Sequence, residues 1–217
     1  MKKYEFTGVT VNHFGRRLHE IKRLSDGLIG GYIESERNLS HDGDCFVYNN
    51  AKVFGNARVS DNTWVFGNAE VFDNARVYGY ARVSGNAEVF GNAQVSGNAQ
   101  VFGNAKVSDN ARVFGNAEAF DNARVFGNAQ VSGNAQVFGN AKVSGNAVAT
   151  GRVQYISTYK HNITLTDNHI QIGCECHTIE HWKENIADIG KANGYTKLEV
   201  KAVKQMLNGL LNMHKGK

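Results

Sequence analysis

The sequence predicts a mainly β protein: a single-stranded, triangular parallel β-helix with an N-terminal β cap and a C-terminal α/β segment. Three observations predict it. From Val47 to Val148 the chain repeats a six-residue unit seventeen times without insertion or deletion. Within each unit apolar and polar residues alternate, which is the period of a strand. Each unit also carries a pair such as Gly55-Asn56 or Asp61-Asn62, residue types that tolerate the positive φ of a tight corner. A short strand and a corner repeated at fixed length make a solenoid.

The unit dictates its own geometry. In Ala57-Arg58-Val59-Ser60 the alternation turns Ala and Val inward and Arg and Ser outward, and Asp61-Asn62 forms the next corner. Three units per coil give a prism of about 18 residues per turn. Seventeen units give between five and six coils, roughly 25–30 Å long with strands about 4.8 Å apart. The small inward Ala lets the corner close and Val fills the centre. Asn recurs at every fourth position of the unit except Tyr80, and stacked Asn side chains can bond from coil to coil as a ladder.

A solenoid needs caps at both ends. Residues 1–46 are expected to supply the first. Tyr4–Asn12 and Leu18–Leu24 alternate around His13-Phe14-Gly15, a hairpin signal, and Gly27, Gly30 and Gly31 mark a loop into Tyr32-Ile33-Glu34. Residues 47–154 form the helix. Residues 155–217 change character. Ile163–Thr166 and His169–Ile172 alternate around Asp167-Asn168, a second hairpin. Thr178 opens a helix containing Trp182 and Ile186, and Gly194 ends it. Thr196 with Glu199 is a capping box before an amphipathic run from Leu198 to Leu211. That last helix is free to cap the final coil, cover part of the prism or self-associate.

The second position of the unit points outward by the same alternation, yet it is repeatedly aromatic. At one residue per coil it forms vertical columns. One holds Tyr48, Phe66, Phe102, Phe120 and Phe138; another holds Phe54, Phe72, Phe90 and Phe126. Such columns predict an apolar patch larger than a monomer normally exposes, hence an interface with a second copy or a partner. Two other readings stay open: a terminal segment folds over the columns, or the rings lie partly inside. Arg58, Arg76 and Arg112 share a column with Phe54, Phe72 and Phe90, and Arg beside an aromatic ring can stack on a base or clamp a phosphate. These three are the candidate ligand-binding residues.

Composition narrows the chemistry. The net charge is +4, and the repeat carries 8 basic against 7 acidic residues, so there is no strong nucleic-acid signal. No apolar run is long enough to span a membrane. Three Cys, an odd number, suit a reducing compartment, and the expected location is cytoplasmic. Cys174, Cys176, His177 and His181 are close enough to suggest zinc, but the spacing departs from zinc motifs and packing is the favoured role. No cofactor is expected. No His lies between Asp42 and Lys160, so the repeat lacks a general base for acyl transfer, and no phosphate-loop, dinucleotide or nucleophile-elbow motif is present.

The pattern aliphatic-x-(Gly/Asp)-Asn-small-x resembles the hexapeptide-repeat proteins that form parallel β-helices. That resemblance implies a left-handed helix; periodicity alone leaves a right-handed one open. The stretch G-G-Y-I-E-S-E-R-N-L-S-H-D-G-D-C-F-V-Y, Gly30 to Tyr48, resembles the segment before the repeats in uncharacterised hexapeptide-repeat proteins of phages and prophages. It implies an origin and a fold, not an activity. The expected function is a non-catalytic, phage-type binding protein in the cytoplasm of a bacterial host. It would be a homo-oligomer that sequesters or inhibits a host factor, either a nucleotide second messenger or a defence enzyme. The alternatives are an assembly scaffold of a phage particle or filament and, third, a CoA-dependent acyltransferase.

Overall fold

Each corner takes four residues. The Ala57 N–H donates to the Phe54 carbonyl at 3.4 Å, Ala75 to Phe72 at 3.2 Å and Ala111 to Ser108 at 3.1 Å. This turn bond closes over Gly or Asp at positive φ, for example Gly55 at 68° and Asp61 at 61°, and leaves only two residues extended. The four-residue strand expected from alternation is therefore two residues long. The computed structural model of the chain describes residues 1–158 and 160–215, the side chains of His214 and Lys215 excepted.

Eighteen such strands, β4 (Phe46–Val47) to β21 (Val148–Ala149), follow one another. They stack in three parallel ladders, each strand pairing with the one a coil away: one from Lys52–Val53 to Lys142–Val143, one from Arg58–Val59 to Val148–Ala149, and one from Phe46–Val47 to Gln136–Val137. The register is strict, as in Lys52↔Glu70 and Arg58↔Arg76. Leu39 bridges to Val59, and Gln136 to Arg152, so irregular flanks lengthen the prism to about seven turns. The inward Ala and Val side chains are fully buried, from Ala51 and Val53 to Val143 and Ala147, and form one continuous core.

The side chains of the corners continue the order. Asn ladders run from Asn50 to Asn122 and from Asn56 to Asn146, with bonds of 3.1–3.3 Å. The third ladder joins Asn98, Asn116 and Asn134 and is broken at Tyr80. The carboxylates of Asp61, Asp73, Asp109 and Asp121 each accept the backbone N–H of the Gly one coil on, at 2.8–3.3 Å.

At the N-terminal end β1 (Tyr4–His13) and β2 (Arg16–Arg23) form the expected hairpin, and β2 pairs with β3 (Ile29–Ile33). Gly30 and Gly31 lie within β3, where a loop was expected. They are glycines because the coil passes over them. A Cβ on Gly30 would sit 2.6 Å from the Val47 carbonyl oxygen, and one on Gly31 2.5 Å from that of Ala51.

The C-terminal residues build a separate unit. Strands β22 (Gln154–Ile156), β23 (Ile163–Leu165), β24 (His169–Ile172) and β25 (Glu175–Thr178) form an antiparallel sheet, followed by α1 (Ile179–Ala192) and α2 (Lys197–Lys215). Thr178 accepts the His181 N–H and caps α1, while Thr196 and Glu199 exchange bonds ahead of α2. Leu207, Leu210 and Leu211 of α2 join Trp182, Ile186 and the sheet in a core distinct from that of the prism. The last helix thus covers its own sheet and not the Phe columns.

Two predictions follow from this packing. Gly31→Ala destabilises the fold by about 3 kcal/mol or more through the clash with the Ala51 carbonyl, whereas Gly151→Ala, with open space around it, changes stability by less than ~0.5 kcal/mol. Asn92→Ala removes the bonds from Asn74 and to Asn110 and costs about 1 kcal/mol. Chemical denaturation of the three variants measures all of these differences.

Candidate functional site

The aromatic columns are real, but they are not an exposed patch. Phe54, Phe72 and Phe90 stack with centroids 5.1 and 4.9 Å apart and planes 2° from parallel. Phe102, Phe120 and Phe138 stack at 5.0 and 5.8 Å. Phe54 is buried at 4% exposure, beneath His13 and Phe14 of the hairpin turn. Phe66, Phe72, Phe90, Phe102, Phe120, Phe126 and Phe138 are all half-buried. The reason is the four-residue corner: the second position is the first residue of the turn, so its ring lies along the prism edge against the ring of the next coil. The exposed large apolar side chains lie elsewhere, Phe6, Val9 and Phe14 on the hairpin and Trp64 and Tyr80 on the prism among them.

The sixth position of the unit also points outward. On the ladder of Lys52, Glu70, Glu88 and Lys106, opposite charges pair, Lys52 with Glu70 at 3.3 Å and Lys106 with Glu88 at 2.7 Å. The ladder that begins at Arg58 reads Arg58, Arg76, Gln94, Arg112, Gln130, Val148, with no carboxylate. Arg58 and Arg76 are exposed neighbours in register, about 4.8 Å apart along the ladder. Like charges directly opposite each other destabilise a sheet.

Arg37 joins them from the 3₁₀ turn Glu36–Asn38, held by the Asn38 amide donating to the carbonyls of Gly55 and Ala57. Arg37, Ser40, Arg58, Val59, Ser60 and Arg76 line an open trough of about 460 Å³. Among the described residues none of the three arginines has an ion pair. Neighbouring carboxylates are engaged elsewhere. Glu36 is bonded by Lys2 at 2.9 Å, which holds its carboxyl below the usual range. Glu34 takes both Arg16 bonds at 3.0 Å and the Gly55 N–H at 2.7 Å, and Asp61 accepts from Gly79. Guanidinium groups, two hydroxyls and no acid are the groups that receive an oxyanion.

Of the three arginines singled out in the sequence, Arg58 and Arg76 meet at this trough. Arg112 stands two coils away with its guanidinium over Phe114 at 5.3 Å. The corner separates Arg58 and Arg76 from the Phe rings of their column, so the expected pairing with Phe54 and Phe72 does not form; the cation–π contacts of the prism run to the ring two residues on, as in Arg124 over Phe126, or across the ladder, as in Arg82 over Trp64. Arg37 is not legible in the sequence because Glu36-Arg37 has no periodicity of its own; its place over the coil comes from the bonds of Asn38 to Gly55 and Ala57 and of Tyr4 to the Glu36 carbonyl.

The Cys and His group does not converge. Cys174 is exposed in the turn before β25, beside a small cavity of about 30 Å³ with Trp182 and Ile186, room for about one water. The Cys176 thiol instead reaches the Ser144 carbonyl of the last coil at 3.4 Å, and burial pushes its pKa up. The two cysteines thus have different surroundings, because the turn at Gly173 interrupts the alternation that would place them on one face. His177 is bonded to Glu175 at 2.8 Å and packs on His181 at 4.6 Å. Bonds from His177 and Asn193 lower the Glu175 pKa. Among the described residues no group of three or more His, Cys, Asp or Glu is arranged to hold a metal ion, and no helix is long and apolar enough to cross a membrane.

Comparison with known families agrees with the architecture. The family model described as the YdcK beta solenoid repeat matches residues 69–85 and 81–97, two overlapping stretches that each run for about one coil of the prism. No curated protein matches the chain. With three parallel ladders around one core, the match makes the chain similar to the repeat β-solenoids.

Proposed function

We propose that the chain is a non-catalytic binding protein that holds a phosphate-bearing small molecule in the trough of Arg37, Arg58 and Arg76. The observation that carries this reading is the in-register Arg58–Arg76 pair in a ladder without acids: the repulsion is unfavourable in the free protein and is relieved by an anion. The trough has the volume of a small-ligand site, which favours a nucleotide signal over a defence enzyme as the sequestered factor. The rigid prism holds the guanidinium groups in place before binding, which lowers the ordering cost. The setting implied by the resemblance of Gly30–Tyr48 is a phage-type factor acting in the cytoplasm of a bacterial host.

Self-association is a second element of the reading. It is favoured by β1, the unpaired outer edge of the sheet that β1, β2 and β3 form by pairing of β3 with Lys52–Val53, with Val9 half exposed, the kind of edge that pairs with another copy. A closed oligomer fits a binding protein; open-ended growth on dilution and concentration, read by light scattering, would favour a scaffold.

Calorimetry with nucleoside triphosphates, cyclic dinucleotides and pyrophosphate tests the main reading. Binding is expected to weaken with salt, and Arg58→Gln or Arg76→Gln to reduce affinity by about tenfold to a hundredfold, as for a lost charge-assisted bond. Without ligand, both variants are expected to melt at or above the parent temperature because the like-charge pair is gone. Absence of binding to every one of these anions, or unchanged affinity in both variants, overturns the proposal.

A further inference from the structure

A repeat this regular makes each departure informative. In the seventeen units the fourth position is Asn except at Tyr80, the fifth is Ala except at Thr63, and the sixth is aromatic only at Trp64. All three lie in adjacent coils at one corner. Tyr80 takes the place of an Asn that would bond Asn62 and Asn98, although the backbone continues undisturbed, with Asn62 donating to Gly79 and Tyr80 to Gly97 at 2.8 Å. Tyr80 is 64% exposed and Trp64 40%, so neither ring is there to fill the core. The fold interrupts one Asn ladder there and leaves both rings partly in water, Tyr80 the more so.

What surrounds these faces is a set of polar groups with spare capacity. Arg82, paired in register with Trp64, lays its guanidinium over the indole at 4.8 Å. Asp44, Asn62, Trp64, Tyr80 and Arg82 line an open hollow of about 330 Å³. The Asp44 backbone N–H donates to the Asn62 side-chain oxygen at 3.1 Å. That contact leaves the Asn62 amide N–H groups facing no Asn at position 80. Among the described residues neither the Asp44 carboxylate nor Arg82 has an ion pair.

We propose that this hollow binds a neutral sugar residue. A pyranose has apolar C–H faces that lie on aromatic rings, and a rim of vicinal hydroxyls that both donate and accept. Those hydroxyls donate to Asp44 and accept from Asn62 and Arg82, which satisfies an acid and a base that do not satisfy each other. The lining has one negative and one positive group, unlike the all-basic trough on the neighbouring ladder, and Asp44 disfavours a phosphate here. A site with a few placed polar groups around aromatic walls is the usual make-up of a small-ligand pocket. The inference stands whether or not the arginine trough takes an anion.

The experiment presents the full chain to an array of neutral oligosaccharides of hexoses and N-acetylhexosamines, with each hit titrated by saturation-transfer NMR. Tyr80→Asn and Trp64→Gln are the informative variants, because each restores a residue the repeat uses elsewhere and so preserves the fold. At least one neutral oligosaccharide is expected to bind, and each variant to weaken it by about tenfold, while Tyr80→Asn melts at or above the parent temperature as the Asn ladder is rejoined. No bound oligosaccharide at millimolar concentration, full binding in both variants, or a response to nucleosides alone would overturn the proposal.

Discussion

One hydrogen bond governs this molecule: from the N–H of a residue to the carbonyl seventeen positions on, as in Lys52 to Ala69, Arg58 to Ala75 and Trp64 to Ala81. Every such bond points the same way along the prism. The first coil is left with unpaired carbonyls and the last with unpaired N–H groups, and a buried or half-buried backbone group without a partner is costly. The two ends therefore need opposite chemistry. At the N-terminal end the cap brings donors: the Tyr4 hydroxyl to the Leu39 carbonyl at 2.8 Å and the Lys3 ammonium to that of Gly43 at 3.1 Å. At the C-terminal end the cap brings acceptors: Thr164 for the Lys142 N–H, Asn168 for Val148 at 2.7 Å and Asp167 for Thr150 at 2.8 Å. The caps differ in fold because the ladder has a direction.

The same bond sets a rule for the surface. It places each residue about 4.8 Å from its counterpart one coil away, so every outward position has to be compatible with itself or with its chosen neighbour. Asn succeeds because its amide donates on one side and accepts on the other. Phe succeeds by stacking. Asp succeeds only where Gly follows one coil later, since that Gly supplies an N–H and brings no second charge. Arg above Arg fails the test, and so does Tyr80 above Asn62. A self-compatible lattice makes such exceptions visible as local costs, and a cost retained in an otherwise regular structure asks for a compensating use.

This explains what could be read from the sequence. The prism, its three ladders, the inward Ala and Val, the Asn ladders, both hairpins and the two helix caps all follow from short-range patterns, because in a solenoid the distant contact is the same contact repeated. The failures came where a residue's surroundings depend on how the chain turns. The alternation of Val53 and Phe54 does not reveal that Phe54 begins a turn, so its ring was placed in solvent. Gly30 and Gly31 read as loop residues because nothing local marks the carbonyls of Val47 and Ala51 passing above them. Alternation puts Cys174 and Cys176 on one strand face as packing residues, but the turn at Gly173 leaves Cys174 outside the strand. The site was half legible: Arg58 and Arg76 are periodic, and Arg37 is not.

The repeat also constrains where function can reside. A prism of Ala and Val has no interior space for a ligand, and its backbone is committed to the ladders. Recognition is therefore confined to side chains on the outer positions and to the places where the repeat is broken. Both candidate sites obey this: the arginine trough lies where the first coil departs into Glu36–Asn38, and the aromatic hollow lies where Trp64 and Tyr80 replace the usual residues. Both sit near the N-terminal cap, within the first three coils. Coils farther on keep the consensus Asn-Ala corner, and form a regular spacer between that end and the C-terminal sheet and helices. In a lattice that forbids internal cavities, binding follows from the exceptions and stiffness from the rule.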